Sequence, residues 1–395
     1  MIEVRSPGKL FIAGEYAVVE PGHPAVLIAV DRCVTVKLEP SEHEGRVFSE
    51  QYGRAPVIWR RDHRGVVIGA EDRPLDHVLS AIRVVESLVA EVGIAPRFST
   101  LTITSELDDA DGRKFGLGSS AAVTVATIRA LDEFYRLDLS RTQILKLAIL
   151  STVDVNPSAS GGDVAASVFG GWLRYSSPDR LHVRDVRRRA GVLAALRDPW
   201  EGLELDRLSP PSSLRLLVGW TGKPASTARL VDELQSRKWA ETAHYTDFLA
   251  ESRVAVDALS RSLDDDEPQQ VLAAIHAARR TLVALGTDAG MDIETDALRA
   301  LCDVVDGVGG AAKSSGAGGG DCGIAMIDRS TAVPEIENRW AEAGIERLPL
   351  TVHRPTGMID PSYSGRNGSL RREPNDAPAE RRSPADRRAA DKENR

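Results

Sequence analysis

The sequence predicts a protein of mixed helices and strands that is organised in two packed domains. Its 395 residues, 42% of them hydrophobic, can bury a large core and exceed the length of one small domain. Apolar runs of strand type and apolar faces at helical spacing both occur along the chain. Two segments rich in glycine and serine, residues 114–123 and 313–323, adjoin such elements and are the candidate functional segments.

The predicted elements follow one another along most of the chain. Strands are predicted at residues 2–38, 98–105, 170–175, 214–220 and 324–327. Helices are predicted at residues 76–92, 142–153, 240–262, 269–284 and 295–305, and another continues from the first glycine segment. The Pro-rich stretch 209–212 is the expected domain boundary. From Thr356 onward charged residues, Pro and Ser dominate, so we expect disorder because little apolar surface offsets the ordering entropy.

The first glycine segment is typical of an anion-binding turn. Gly116 and Gly118 let the backbone turn and approach a ligand closely, while Ser119 and Ser120 can cap the following helix or offer hydroxyls. The free N–H groups of the first helical turn, together with the helix dipole, favour an anion at this point. The alternative is a tight turn that only caps an ordinary helix.

Two further segments make the ordinary turn the weaker explanation. Residues 313–323 combine glycines and serines before an apolar strand, whereas a flexible linker does not normally run straight into a strand. Near the amino terminus, residues 5–16 place a turn with Lys9 before a short apolar strand that ends at Gly14 and Glu15. Each positive group in or beside these segments, taken alone, is more often a solvated surface charge, and only their joint placement favours an anion site.

These three motifs, in this order, resemble the superfamily of galactokinase, homoserine kinase, mevalonate kinase and phosphomevalonate kinase, abbreviated GHMP. Within it, the details are most similar to the bacterial phosphomevalonate kinase family. The matching runs are Gly8-Lys9-Leu10, Gly14-Glu15-Tyr16, Gly219-Trp220-Thr221 and residues 313–325. Mevalonate kinases usually carry Glu-His where this chain has Glu15-Tyr16. The resemblance covers roughly residues 1–354.

The resemblance implies an α+β fold of GHMP kinase type. It predicts a first domain like domain 2 of ribosomal protein S5 (1–208) and a ferredoxin-like second domain (209–355), with the charged tail (356–395) disordered. The implied reaction is transfer of the ATP γ-phosphate to 5-phosphomevalonate, with Mg²⁺, on the mevalonate route to isoprenoids. Mevalonate kinase, diphosphomevalonate decarboxylase and a non-catalytic nucleotide- or metabolite-binding regulator of the same fold stay open as alternatives.

The site residues are assigned by the same motifs, since no P-loop or protein-kinase signature is present. The catalytic candidates are Lys9, Lys114 and Asp163. The ATP-binding candidates are Gly116, Leu117, Gly118, Ser119, Ser120 and Ala121, and Ser120 is the candidate Mg²⁺ ligand. The candidates for acceptor binding are Ser160, Gly161, Gly162, Ser226, Thr227, Arg229, Lys313, Ser314, Ser315 and Gly316. Glu15 is expected to brace the opening hairpin through backbone hydrogen bonds, or to partner Lys9.

Charge and composition narrow the partners to small molecules. The net charge of −8 and the pI of about 5.6 argue against nucleic acid, which is held by broad basic surfaces. The chain contains no apolar run of about 18 residues, so no membrane span is expected and a cytoplasmic location is predicted. The three cysteines are too scattered for a disulfide framework or a zinc site. A monomer or homodimer is expected.

Overall fold

The first half of the chain is built on one large sheet. The computed structural model describes residues 1–49, 55–62, 65–68, 76–109, 111–223, 230 and 242–365. The strands are β1 (Ile2–Ala13), β2 (Pro24–Ser41), β3 (Gly45–Ser49), β4 (Val57–Asp62), β5 (Gly65–Ile68), β6 (Phe98–Ser105), β7 (Trp172–Ser176) and β8 (Glu204–Arg207). They follow the order β5-β4-β3-β6-β2-β7-β8, and β1 pairs antiparallel along most of β2. The central strand β2 is almost wholly buried at its apolar start, as its run of Val, Leu, Ile and Ala requires.

Helices accompany this sheet. They are α1 (Asp76–Glu91), α2 (Ser119–Tyr135), α3 (Arg141–Val155), α4 (Gly162–Phe169), α5 (Arg180–Ala190) and α6 (Val192–Arg197). The third helix begins at a capping box, in which the Ser140 hydroxyl accepts from the Gln143 N–H and the Gln143 side chain accepts from the Ser140 N–H. Helices α2 and α4 pack directly on strands β1 and β2 of the sheet, so their amino termini lie beside the strand that carries Lys9.

The second domain has a four-stranded antiparallel sheet with the strand order of a ferredoxin-like fold, and three of the described helices lie between its first and second strands. Its strands are β9 (Leu214–Trp220), β10 (Ala311–Ser314), β11 (Cys322–Asp328) and β12 (Glu346–Leu348), in the order β10-β11-β9-β12. Its helices are α7 (Ala243–Asp264), α8 (Pro268–Ala289), α9 (Asp296–Asp306) and α10 (Val333–Glu342). Within the described residues, no helix combines the length and apolar composition that a bilayer crossing requires.

The chain passes from the first sheet to the second at the Pro-rich stretch 209–212 and returns to the first sheet after β12. Strand β8 ends at Arg207 and β9 begins at Leu214, on either side of residues 209–212. After β12 the chain runs back to the first sheet, where Val352 bridges to Val30. The last described residues therefore belong with the first domain, although the sequence places them in or after the second.

Residues 356–365 correct the expectation of disorder from Thr356 onward. The Thr356 N–H donates to the Phe169 carbonyl at 2.7 Å, and the Ser364 hydroxyl donates to Asp206 at 2.6 Å. The Arg207 guanidinium donates to the carbonyls of Thr356 and Gly357. These hydrogen bonds to buried groups supply the ordering that the composition does not. Residues 366–395 of the predicted tail lie outside the described residues.

Other differences are local. Strand β7 begins at Trp172 rather than at residue 170, because Gly170 and Gly171 both have positive φ. Lys313 and Ser314 belong to strand β10 and not to the glycine loop. Helices α5, α6 and α10 are not among the predicted elements, and α5 buries only Val183, so it has hardly any apolar face to detect.

Candidate active site

Lys9 lies on β1 directly against the first glycine loop. Its backbone N–H donates to the Leu117 carbonyl at 2.8 Å, and its ammonium donates to the Gly116 carbonyl at 3.1 Å. The residue is 8% exposed. A Cβ on Gly118 would lie 3.0 Å from Lys9 Cε, so this glycine makes room for the lysine side chain. A bulge between Pro7 and Lys9 interrupts the pairing with β2 at this point.

The first glycine loop leads into helix α2 with an uncapped amino terminus. Gly118 is the N-cap residue in the left-handed conformation, and no side chain caps the helix. Ser119 and Ser120 are the first helical residues, so of the two alternatives for their hydroxyls the capping of this helix is wrong. Because no side chain occupies the cap, the N–H groups of the first turn are available to an anion. Both serines are partly exposed.

Helix α2 runs from Lys9 toward the start of β1. Its amino terminus adjoins Lys9 through Gly118, and farther along the helix the Arg129 guanidinium donates to the Arg5 carbonyl at 2.7 Å. The helix and the strand are therefore antiparallel, and the positive end of the helix dipole lies beside the Lys9 ammonium.

Helix α4 has the same orientation. Gly162 at its start packs against Leu27, which pairs with Phe11 of β1, and the Ser167 hydroxyl near its end donates to the Pro7 carbonyl at 2.8 Å. Helices α2 and α4 thus run side by side in the same direction. Their amino termini lie at the same end of β1, on the stretch that contains Lys9, which makes this end of the domain positive.

Asp163 lies in the first turn of α4. The N-cap is Gly161 in the left-handed conformation, without a side-chain cap, and the Asp163 carboxylate accepts from the Val164 N–H at 2.9 Å. A residue of strand β7 stabilises the preceding turn, because the Tyr175 hydroxyl donates to the Ser160 carbonyl at 2.7 Å. Burial of Tyr175 raises the pKa of its phenol, so it acts as a neutral donor.

Arg180 supports the same turn and was not found from the sequence. Its guanidinium donates to the Ala159 carbonyl at 2.8 Å and to the Val19 carbonyl at 2.5 Å. Burial lowers the pKa of this group but leaves it a cation, with Glu20 nearby. No motif singles it out, because the carbonyls it binds are close only in the folded chain.

The second glycine loop packs on the first. The Cys322 thiol donates to the Phe115 carbonyl at 3.0 Å. A Cβ on Gly116 would come within 2.7 Å of the Asp321 carboxyl group, so the aspartate closes over this glycine. Asp321 is 7% exposed and its carbonyl accepts from the Thr221 N–H, which agrees with a role as loop anchor. Burial raises the pKa of the Cys322 thiol, consistent with an inert packing residue.

Three residues predicted to bind the acceptor have internal partners instead. Lys313 is fully buried and its ammonium donates to Glu15 Oε1 and to the Ser314 carbonyl. The Ser315 hydroxyl bonds both the N–H and the carbonyl of Phe11, at 3.0 and 2.9 Å. Lys313 and Ser315 therefore hold the loop to the first domain through Glu15 and Phe11, whereas Ser314 is buried and bonded within the second domain. Glu15 partners Lys313 and not Lys9.

The remaining predicted residues are placed as follows. Gly316 is partly exposed, with open space on its Cα, so a ligand can approach its backbone. The ammonium-bearing Lys114 is exposed, and its backbone bridges to Asp108 at the start of the first loop. Ser226, Thr227 and Arg229 lie outside the described residues.

A metal at this site would depend on the ligands of the nucleotide. The described residues contain no group of three or more His, Cys, Asp or Glu side chains that could hold an ion. Mg²⁺ usually keeps several waters and takes one or two protein oxygens together with substrate phosphates. The partly exposed Ser120 at the α2 amino terminus and the Asp163 carboxylate fit that requirement.

The similarity of this chain to known proteins covers both domains. Residues 77–171 match the family model for the GHMP kinases N terminal domain, and residues 263–346 match the model for GHMP kinases C terminal. A phosphomevalonate kinase of Streptomyces sp. strain CL190 is 45% identical over 358 residues, which are 88% of this chain and 96% of that protein. The chain belongs to the GHMP kinase family.

Other members of the GHMP kinase family are similar over comparable lengths. A mevalonate kinase of Thermococcus sibiricus is 28% identical over 81% of this chain and 87% of its own length. Among solved structures, the Lin0012 protein of Listeria innocua superposes with a TM-score of 0.82 at 36% identity, covering 90% of this chain and 98% of that one. Streptococcus pneumoniae phosphomevalonate kinase, in complex with phosphomevalonate and AMPPNP, gives a TM-score of 0.79 at 28% identity, with coverage of 89% and 100%. The predicted α+β fold of GHMP kinase type is confirmed.

Proposed function

We propose that this GHMP kinase is a phosphomevalonate kinase. It transfers the γ-phosphate of ATP to the phosphate of (R)-5-phosphomevalonate and releases 5-diphosphomevalonate and ADP. The observation that carries the proposal is the 45% identity to the Streptomyces phosphomevalonate kinase over nearly the whole chain. The similarity to a structure that holds phosphomevalonate and AMPPNP supports it.

The ATP phosphates are assigned to the first glycine loop and the start of α2. This segment comprises Gly116, Leu117, Gly118, Ser119, Ser120 and Ala121. The uncapped amino terminus supports the assignment, because its N–H groups and the helix dipole both favour a polyanion. A Mg²⁺ ion bound with the nucleotide would supply charge neutralisation for the transferred phosphoryl group. Ser120 is the proposed protein ligand of that ion.

The phosphorylated acceptor is assigned to the start of α4. Ser160, Gly161 and Gly162 form its turn, and this helix also lacks a side-chain cap. The parallel orientation of α2 and α4 brings two positive helix ends to one end of β1, where two anionic substrates can meet. Ser226, Thr227 and Arg229 remain proposed acceptor contacts, and Gly316 can add a backbone contact from the second loop.

The main barrier to this reaction is repulsion between two anions. Phosphoryl transfer gains most of its acceleration from positioning and charge stabilisation. Lys9 lies between the two helix ends with its ammonium fixed by the Gly116 carbonyl, so it screens both substrates. Lys114 is proposed to add a second, more mobile charge from the loop.

Asp163 is proposed to orient Lys9 or the metal and not to act as a strong base. A phosphate monoester has its second pKa near about 6, so the attacking oxygen is already ionised at pH 7. The Asp163 carboxylate lies in the first turn of its own helix, beside the positive end of the helix dipole and on the side of the domain where Lys9 stands.

The proposed function is accompanied by proposals for the domain limits, the cellular location and the oligomeric state. We propose that residues 1–208 and 209–350 form the two family domains, with residues 351–365 returning as an added strap on the first. The proposed substrates are small, charged metabolites, which favours a cytoplasmic location. We propose that the enzyme acts as a monomer or homodimer.

A coupled assay of ADP release tests the proposed function. Purified protein with MgATP is offered phosphomevalonate and mevalonate in parallel, and the products are separated by anion exchange. We expect diphosphomevalonate from the first substrate, no phosphorylation of the second, and no release of carbon dioxide. Turnover of mevalonate alone would instead indicate a mevalonate kinase, and no turnover of either would favour a non-catalytic binding protein.

A further inference from the structure

We propose that Glu15 and Tyr16 form a clamp that positions the second glycine loop, residues 315–321, and that Tyr16 is a positioning residue for phosphoryl transfer. The catalytic part of this inference depends on the proposed function. The structural part does not depend on it. The clamp joins the end of β1 in the first domain to the loop of the second.

The backbone at Tyr16 is strained. Its φ is 60° and its ψ is −52°, and the Ala17 N–H donates to the Glu15 carbonyl at 2.7 Å, two residues back. These values define a γ-turn in the left-handed half of the map, which is rare and unfavourable for a bulky residue. Strain of this kind persists where the surroundings impose it, and it accumulates at functional sites.

The γ-turn directs two consecutive side chains into the same loop of the other domain. The Tyr16 hydroxyl donates to the Ala317 carbonyl at 2.5 Å. The Glu15 carboxylate accepts from the Lys313 ammonium and lies 3.4 Å from the Gly316 N–H. In an ordinary strand, consecutive side chains point to opposite faces, so both contacts require the turn.

The loop depends on such contacts because its own backbone is permissive. Gly316, Gly318, Gly319 and Gly320 all have positive φ, so the segment has little intrinsic preference for one shape. At its far end Asp321 packs on Gly116 of the first loop. The clamp fixes the near end, and the two contacts together set where the loop's backbone lies against the ATP and acceptor sites.

The Tyr16 ring adds packing to the clamp. Tyr16 is 5% exposed and belongs to an apolar cluster that includes Ala317, Tyr245 and Phe248. Tyr245 offers a matched control, because its hydroxyl also bonds across the domains but does so to Glu20, at 2.7 Å, whereas the Tyr16 hydroxyl bonds the loop itself at Ala317. Replacing either tyrosine by phenylalanine removes one hydroxyl and keeps the ring.

Hydrogen exchange tests the structural part without substrate. In the full-length protein, Tyr16→Phe should speed amide exchange in the peptide spanning 315–321 by about tenfold, the effect of one lost buried hydrogen bond. Tyr245→Phe should leave amide exchange in that peptide at the wild-type rate. In strand β2, amide exchange should be at the wild-type rate in both variants. Equal protection of 315–321 in Tyr16→Phe and wild type would overturn the clamp.

Steady-state kinetics test the positioning role. With MgATP and phosphomevalonate, Tyr16→Phe should lower kcat about tenfold and change each KM less than threefold, because the groups that bind the substrates stay in place. Tyr245→Phe should keep wild-type kcat. An unchanged kcat despite faster loop exchange would refute the positioning role and leave the clamp as a structural contact.

The two proposals fail in different ways. If wild-type protein does not phosphorylate phosphomevalonate, the proposed function is wrong, while the exchange result still decides whether the clamp exists. Thermal unfolding of each variant shows whether the substitution causes a general loss of structure. A Tyr16→Phe protein with faster exchange everywhere, and not only in 315–321, would contradict a local clamp.

Discussion

The buried ion pair between Glu15 and Lys313 gives the sharpest stability prediction. Lys313 has no exposed side-chain surface and Glu15 has 2%. Replacing Lys313 with methionine keeps most of the volume but leaves the carboxylate buried without its counterion. Glu15 Oε2 already lacks a hydrogen-bond partner, so little else can stabilise the charge. We expect the free energy of unfolding to fall by about 3–5 kcal/mol.

That loss is large beside a typical total stability of about 5–15 kcal/mol. The double variant Glu15→Gln with Lys313→Met removes both charges. Because a buried pair barely repays its desolvation, the double variant should be more stable than Lys313→Met alone, by about 2 kcal/mol or more. The four proteins form a double-mutant cycle whose coupling term isolates the pair.

Urea unfolding followed by circular dichroism measures each member of the cycle. The control is Lys37→Met, which breaks a pair with Glu3 at 3.3 Å whose side chains are 45% and 48% exposed. It should change stability by less than about 1 kcal/mol. A loss below about 1 kcal/mol for Lys313→Met, or a double variant less stable than both singles, would refute the reasoning.

Three further outcomes follow from the site and the core. Asp163→Asn should lower kcat about 10²-fold in the coupled assay, and a loss near 10⁴-fold would mean that a base is required. Gly116→Ala places a Cβ 2.7 Å from the Asp321 carboxyl at φ +80°, so it should raise the KM for ATP at least tenfold, whereas Gly112→Ala, with open space and φ +78°, should not. Burial lowers the pKa of Lys146 from 10.5 to about 8 in the folded protein. Between these two pH values the Lys146 amine is protonated in the unfolded chain and largely deprotonated in the folded protein. Stability measured by urea should therefore rise with pH across that window, by no more than about 1.4 kcal/mol per pH unit, and Lys146→Met should lack this rise.

Much of the fold could be predicted because its signals are local. The helix at Asp76–Glu91 and the strands at Phe98–Ser105 and Leu214–Trp220 follow from short apolar patterns. The two glycine loops were found because glycine is the residue for positive φ. Helix α5 was missed because its sequence is polar on nearly every side.

The errors at the site come from contacts between distant residues. Lys313 was assigned to substrate because a lysine beside a glycine loop usually serves an anion, but Glu15, 298 positions away, takes its charge. Capping is the alternative role for Ser119 and Ser120, because serine favours the N-cap position, whereas the left-handed Gly118 occupies that position. Neither outcome is encoded in a short stretch of chain.

The return of the chain from β12 to the first sheet constrains how the enzyme can open. Two covalent crossings, at 208–213 and near Leu350, connect the domains, and the second is pinned by Thr351 to Asp31 and by His353 to Ala29. These two connections limit how far the two domains can separate, because the second is held to the first sheet by hydrogen bonds immediately after it leaves the second domain. A fragment ending at residue 208 would lose the strap that covers Phe169, and the amino-terminal half should be studied only together with residues 351–365.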